Sequence, residues 1–105
     1  MKHYAVAEIT VTDRAWARAY VDNVTPLVEQ FGGRYLARTS NIDILESSGH
    51  VPQMILIIEW PSKELALAFY ESEEYRPYRE SRQAGSNGGF FLVPAEDING
   101  AARIS

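Results

Sequence analysis

The stretch "MILIIEWPS", Met54 to Ser62, runs five apolar residues together and then sets a carboxylate, an indole, a proline and a hydroxyl in succession. Its length and its isoleucines read as a buried strand, and Pro61 with Ser62 reads as the handover from that strand to a helix. A strand covered on one face alternates apolar and polar side chains. Met54, Ile55, Leu56, Ile57 and Ile58 do not alternate, so this strand is expected to be covered on both faces.

Working outward, His3 to Val11 reads as a first strand, and Thr12 or Asp13 offers an oxygen to cap a following helix. Trp16, Tyr20, Val24, Leu27, Val28 and Phe31 recur at helical spacing and form one buried stripe. Pro26 inside that stripe predicts a kink or a restart near Thr25. Gly32 and Gly33 end the helix. A second strand follows from Arg34 to Thr39, with an irregular extension through Ile42 and Ile44 to Glu46. "SSGHVP" supplies the turn into the third strand, Gln53 to Trp60.

Ser62 is expected to cap a second helix carrying Leu65, Ala66 and Phe69 on its inner side. Ser72 is expected to cap a further short helix begun by Glu73 and Glu74 and limited by Pro77. "AGSNGG" reads as a loop, and Phe90 to Val93 as a fourth strand. Residues 1–94 thus make one domain, and Ala95 to Ser105 an arm or a disordered tail.

The predicted fold is α+β: a ferredoxin-like βαββαβ order, with a four-stranded antiparallel sheet and the helices on one face. That arrangement leaves the other face of the apolar third strand bare, and no element remains to cover it. A second copy of the chain, packed sheet to sheet, is the economical cover.

Composition narrows the function classes. The chain has 105 residues, 46% hydrophobic and 23% charged, as expected of one folded domain. A net charge of -4 argues against nucleic acid and against a membrane surface as partners. Without cysteine there are no disulfides, thiolate metal sites or cysteine nucleophiles. The start, "MKHYAVAEITV", lacks the long apolar run of a signal peptide, which points to a cytoplasmic protein.

The residues "TD" at Thr12-Asp13, Tyr20, "GGRYLAR" from Gly32 to Arg38, Glu46, "IEWPS" from Ile58 to Ser62, and "FYESEEY" from Phe69 to Tyr75 followed by Arg82 resemble the family catalogued as domain of unknown function 1330. That family lies within the dimeric α/β-barrel superfamily. The resemblance spans about Tyr4 to Val93 and implies a ferredoxin-like protomer and a homodimer; it implies no activity. Some relatives in the superfamily degrade haem with a helical histidine as iron ligand. His3 at a strand start and His50 in a turn do not match that position.

Glu59 is the candidate catalytic group, because a carboxyl withdrawn from water can serve as general acid or base; pairing with an arginine is the competing structural role. Arg38 and Arg82 carry planar forks suited to an anionic substrate, or to Glu46 or Glu59. Tyr20 and Tyr75 supply hydroxyls that, if buried, need partners, and Trp60 shapes a wall. No metal site and no cofactor are expected. These features point to a homodimer binding a small, partly aromatic or carboxylated molecule between sheet and helices. As an enzyme it would carry out cofactor-independent oxygenation or proton transfer; the alternative is a structural or interaction module whose function is dimerisation.

Overall fold

The structure is a computed structural model and describes residues 1–98. β1 (His3–Val11) leads through a 3₁₀ turn at Arg14–Trp16 into α1 (Ala17–Gln30), β2 (Arg34–Thr39) and β3 (Met54–Trp60). α2 (Lys63–Tyr70), α3 (Arg76–Ala84), β4 (Ser86–Asn87) and β5 (Phe90–Pro94) follow. Every pairing is antiparallel, and the sheet runs β2-β3-β1, with β4 and β5 sharing the outer edge of β1.

Strand alternation sorts the sheet into two faces. Ala5, Ala7 and Ile9 of β1 and Leu56, Ile58 and Trp60 of β3 are buried under the helices, with Tyr20, Val24, Leu27 and Val28 of α1 and Ala66 and Phe69 of α2. Removing side chains of this size from water contributes about 1.5–3 kcal/mol each. The alternate residues, Tyr4, Val6 and Glu8 on β1 and Ile55, Ile57 and Glu59 on β3, look out of the opposite face. On β5 the same face carries Phe91 and Val93, which are 52% and 42% exposed. The sheet face away from the helices is therefore largely apolar, as the Met54–Ile58 run predicts, and apart from its Glu8–Ile55 end, which the connection at 42–52 approaches, it is only partly covered in the single chain.

Several local expectations change. α1 runs unbroken through Pro26, because Pro26 and Asp22 both lie on the solvent side, where water can satisfy the carbonyl that proline leaves without a donor. The start of the helical region is capped by Asp13, which accepts from the Ala15 amide at 2.9 Å. β2 stops at Thr39 and does not extend to Glu46, since the Thr39 hydroxyl takes the Asn41 amide at 2.9 Å and turns the chain. Ser62 caps α2 through the Leu65 amide at 3.2 Å, yet Leu65 itself is 39% exposed instead of facing inward.

Ser72 accepts from the Tyr75 amide at 3.2 Å and organises the turn ahead of α3. "AGSNGG" is not all loop: Ser86 and Asn87 pair with Val11 and Thr10. At the same junction the Gly85 carbonyl accepts from the Thr12 and Asp13 amides and from the Trp16 indole nitrogen, tying the end of α3 to the start of the helical layer. The tail expected as an arm falls mostly at residues 99–105, outside the described residues.

Candidate functional site

A chain of aromatic rings, two of its contacts edge to face and two stacked or tilted, runs from the helical layer to β3. Trp16 meets Tyr20 at 5.3 Å, Tyr20 meets Tyr75 at 6.0 Å, Tyr75 stacks on Phe69 at 4.3 Å, and Phe69 meets Trp60 at 5.3 Å. Helical spacing places Tyr20 on the inner side of α1, and the Ser72 turn delivers Tyr75, fully buried, opposite it. Their hydroxyls share a hydrogen bond of 2.5 Å.

Burial pushes the Tyr20 phenol well above its ordinary range; the neighbouring Tyr75 hydroxyl adds to this, and the Arg82 cation opposes it only in part. Tyr35 also shifts upward through burial, against the opposing pull of Arg38 and Thr25.

Arg82 completes the cluster from α3. Only 7% of the residue is exposed, and its buried Nε and Nη2 make no well-aligned hydrogen bond among the described residues, although the Tyr75 and Tyr20 hydroxyls stand near the guanidinium. Its Cζ lies 5.2 Å from the centre of the Phe90 ring. Burial pulls against its charged form, but the Tyr75 and Tyr20 oxygens outweigh that effect, so the guanidinium stays protonated. Among the described residues, no carboxylate forms an ion pair with it.

A cavity of about 230 Å³ lies beside this cluster, between the sheet and α2. Ala5, Ile58 and Trp60 form its floor, Ala66, Phe69 and Tyr70 its wall, and Phe90 and Leu92 its edge. Small side chains at Ala5 and Ala66 leave this space open. The main polar feature of the rim is Tyr70, whose carbonyl accepts from Arg79 and whose ring lies 5.1 Å from the Arg79 guanidinium. A smaller void, about 80 Å³, lies under α1 with Tyr20, Tyr35 and Arg38 in its lining.

The structure thus brings together Tyr20, Tyr75 and Arg82, with Trp60 reached through Phe69. Arg38 stands apart at the surface, donating to the Thr25 hydroxyl at 2.7 Å and lying 4.1 Å over the Tyr35 ring. Glu59 is not brought to the cluster at all. Its neighbours Ile58 and Trp60 point into the core, so its own side chain points out of the opposite sheet face. There it meets Arg34 at 3.3 Å and Lys2 at 3.4 Å.

Ala66, Phe90 and Leu92 were not singled out as site residues from the sequence. Their small or apolar side chains carry no chemical signal, and only the packing of α2 and β5 over Trp60 shows the gap. His3 contacts the Met1 carbonyl, His50 is exposed, and no group of three or more acidic, histidine or cysteine side chains is placed to hold a metal among the described residues.

The family model for the domain of unknown function DUF1330 matches residues 2–95. No curated protein matches the chain. Among solved structures, the chain is similar to RPA0582, a protein of unknown function from Rhodopseudomonas palustris, with a TM-score of 0.74 at 16% identity over 91% of this chain and 84% of that one. It is similar to SnoaB, a cofactor-independent oxygenase from Streptomyces nogalater, with a TM-score of 0.64 at 14% identity over 93% and 96% of the two chains. An antibiotic biosynthesis monooxygenase gives a TM-score of 0.52 at 18% identity over 92% and 100%. At these identities the likeness is one of fold, and it agrees with the ferredoxin-like reading.

Proposed function

The chain belongs to the DUF1330 family, and we propose that it is a cytoplasmic homodimer that takes up a small molecule between the sheet and α2. The carrying observation is the cavity of about 230 Å³ next to the buried Tyr20, Tyr75 and Arg82 cluster. A mostly apolar hollow with a few convergent polar groups is the usual form of a small-molecule site. A flat molecule of one ring suits the space between Trp60, Phe69 and Phe90.

If the bound molecule is transformed, the groups at hand are phenol hydroxyls and a guanidinium, which can hold or move a proton and stabilise negative charge. Such groups suit proton transfer or oxygenation of an activated carbon acid without a cofactor. SnoaB, similar in fold, is a cofactor-independent oxygenase; that support is analogy of fold, which alone does not carry function.

A second reading, dimerisation as the whole function, is favoured by one observation: Glu59 is held by Lys2 and Arg34 on the bare sheet face, away from the cavity. On this second reading Glu59 serves the interface and not proton transfer.

Native mass spectrometry on gently purified protein separates the two readings. A dimer carrying an extra mass, lost in Ala66→Leu while the dimer persists, supports the cavity reading. A bare dimer whose melting temperature no single-ring compound shifts leaves dimerisation as the function.

A further inference from the structure

The Arg82 fork is the feature of the molecule left unexplained. Its two unpartnered nitrogens are Nε and Nη2, which lie on one edge of the guanidinium and direct two parallel N–H bonds. That edge matches the two oxygens of a carboxylate, the arrangement in which arginine forms its most directional ion pairs. Arginine does not give up its proton at any ordinary pH, and among the described residues no carboxylate answers its charge. Buried charges normally have a partner, and breaking such a pair is strongly unfavourable.

Tyr20 and Tyr75 stand beside the guanidinium and favour its charged form, but as phenols they bring it no full negative charge. Burial and mutual proximity hold Tyr20 in its neutral phenol form, and the two hydroxyls are already engaged with each other. Phe90 links the fork to the cavity: its ring lines the cavity edge and stands 5.2 Å from Arg82 Cζ.

We infer that Arg82 is the recognition element for a carboxylate borne by the molecule that occupies the cavity, which makes the ligand a small aromatic or unsaturated carboxylic acid. This rests on the cavity reading for the ligand's position and adds its charge. The ring of the ligand lies against Trp60 and Phe69, the Phe90 side chain turns aside, and the carboxylate takes the Nε and Nη2 donors. Tyr75, stacked on Phe69, sets the depth to which the ring enters.

Benzoate and its uncharged isostere benzamide are the probes, titrated into the intact protein by calorimetry, with the change in tryptophan emission followed alongside. Benzoate is expected to bind about 10- to 100-fold more tightly than benzamide, the range that hydrogen bonds to a charged group supply. Arg82→Lys, which keeps the charge and loses the fork, is expected to remove most of that preference. Arg82→Met, which removes the fork and the charge together, is expected to bind the two probes alike.

Equal binding of the two probes would overturn the carboxylate assignment and leave the cavity reading standing. A benzoate preference that survives in Arg82→Lys would overturn the role of the fork. A benzoate preference that survives in Arg82→Met would overturn the inference outright. Binding of neither probe would overturn both readings for single-ring molecules.

Discussion

At the scale of single residues, the Tyr20 phenol makes folding depend on pH. Its folded-state pKa lies above the ordinary value of 10.0, chiefly through burial, so at alkaline pH the folded chain keeps a proton that the unfolded chain releases. Where the native state binds the extra proton, stability falls as pH rises. The contribution is fully present below pH 10.0 and is lost progressively above it. The melting temperature is therefore expected to drop steeply above about pH 10, and Tyr20→Phe is expected to flatten that drop. At neutral pH the same change should cost about 1 kcal/mol, the net worth of one buried hydrogen bond, since Tyr75 loses its partner. Chemical denaturation across the pH range measures both, and a parallel decline in parent and variant would contradict the assignment.

Much of the residue-scale picture is readable in advance. Tyr20 belongs to an apolar stripe at helical spacing, so its burial and its need for a hydroxyl partner follow from the spacing alone. Glu59 could also have been placed. A large apolar residue at Trp60 takes the core side of the strand, and its neighbour then takes the other. What the sequence does not show is that Arg82 meets no carboxylate among the described residues, because that depends on which carboxylates three separate helices happen to bring near it.

At the scale of elements, the junction between α1 and β2 is tightly packed against the core. Gly32 takes the left-handed conformation that ends α1, with φ of 97°. Gly33 then passes so close to the core that an added Cβ would stand 2.7 Å from Val28 Cγ1 and 2.9 Å from two ring atoms of Trp60. Val28 and Trp60 are both almost fully buried and have little room to yield. Gly33→Ala is expected to destabilise the fold by about 1–3 kcal/mol, the usual cost of overpacking. Urea denaturation reads this directly, and a change in Trp60 emission should accompany it. The glycine pair reads from sequence as a helix stop, but the close approach at its second member comes from a contact with a strand far along the chain. The Ser86–Asn87 strand stays hidden for a similar reason: two polar residues among glycines carry no strand pattern, and they pair only because β1 extends far enough to receive them.

At the scale of the whole molecule, the bare sheet face governs how the protein exists in solution. Val6, Ile55, Ile57, Phe91 and Val93 form an apolar field across β3, β1 and β5, flanked by the Lys2, Glu59 and Arg34 cluster. A monomer that presented this field to water would carry an apolar patch of the kind normally found at interfaces. In the proposed homodimer, two copies packed face to face would cover it without any further element, and the two-fold relation would make each residue serve both sides.

Ile57 sits near the middle, paired across the strands with Val6 and Ala37. A charge placed there appears twice in the assembled pair, close to the symmetry axis and out of water, where desolvation and like-charge repulsion act together. Ile57→Lys is therefore expected to give a monomer. Its far-UV circular dichroism should match the parent, because the side chain does not reach the helical core. Size exclusion with light scattering should find twice the chain mass of 11.8 kDa for the parent and that mass for the variant. A parent protein that runs at the single-chain mass at micromolar concentration would show that the apolar run from Met54 to Ile58 has some other partner, and the search for a function would then begin with that partner.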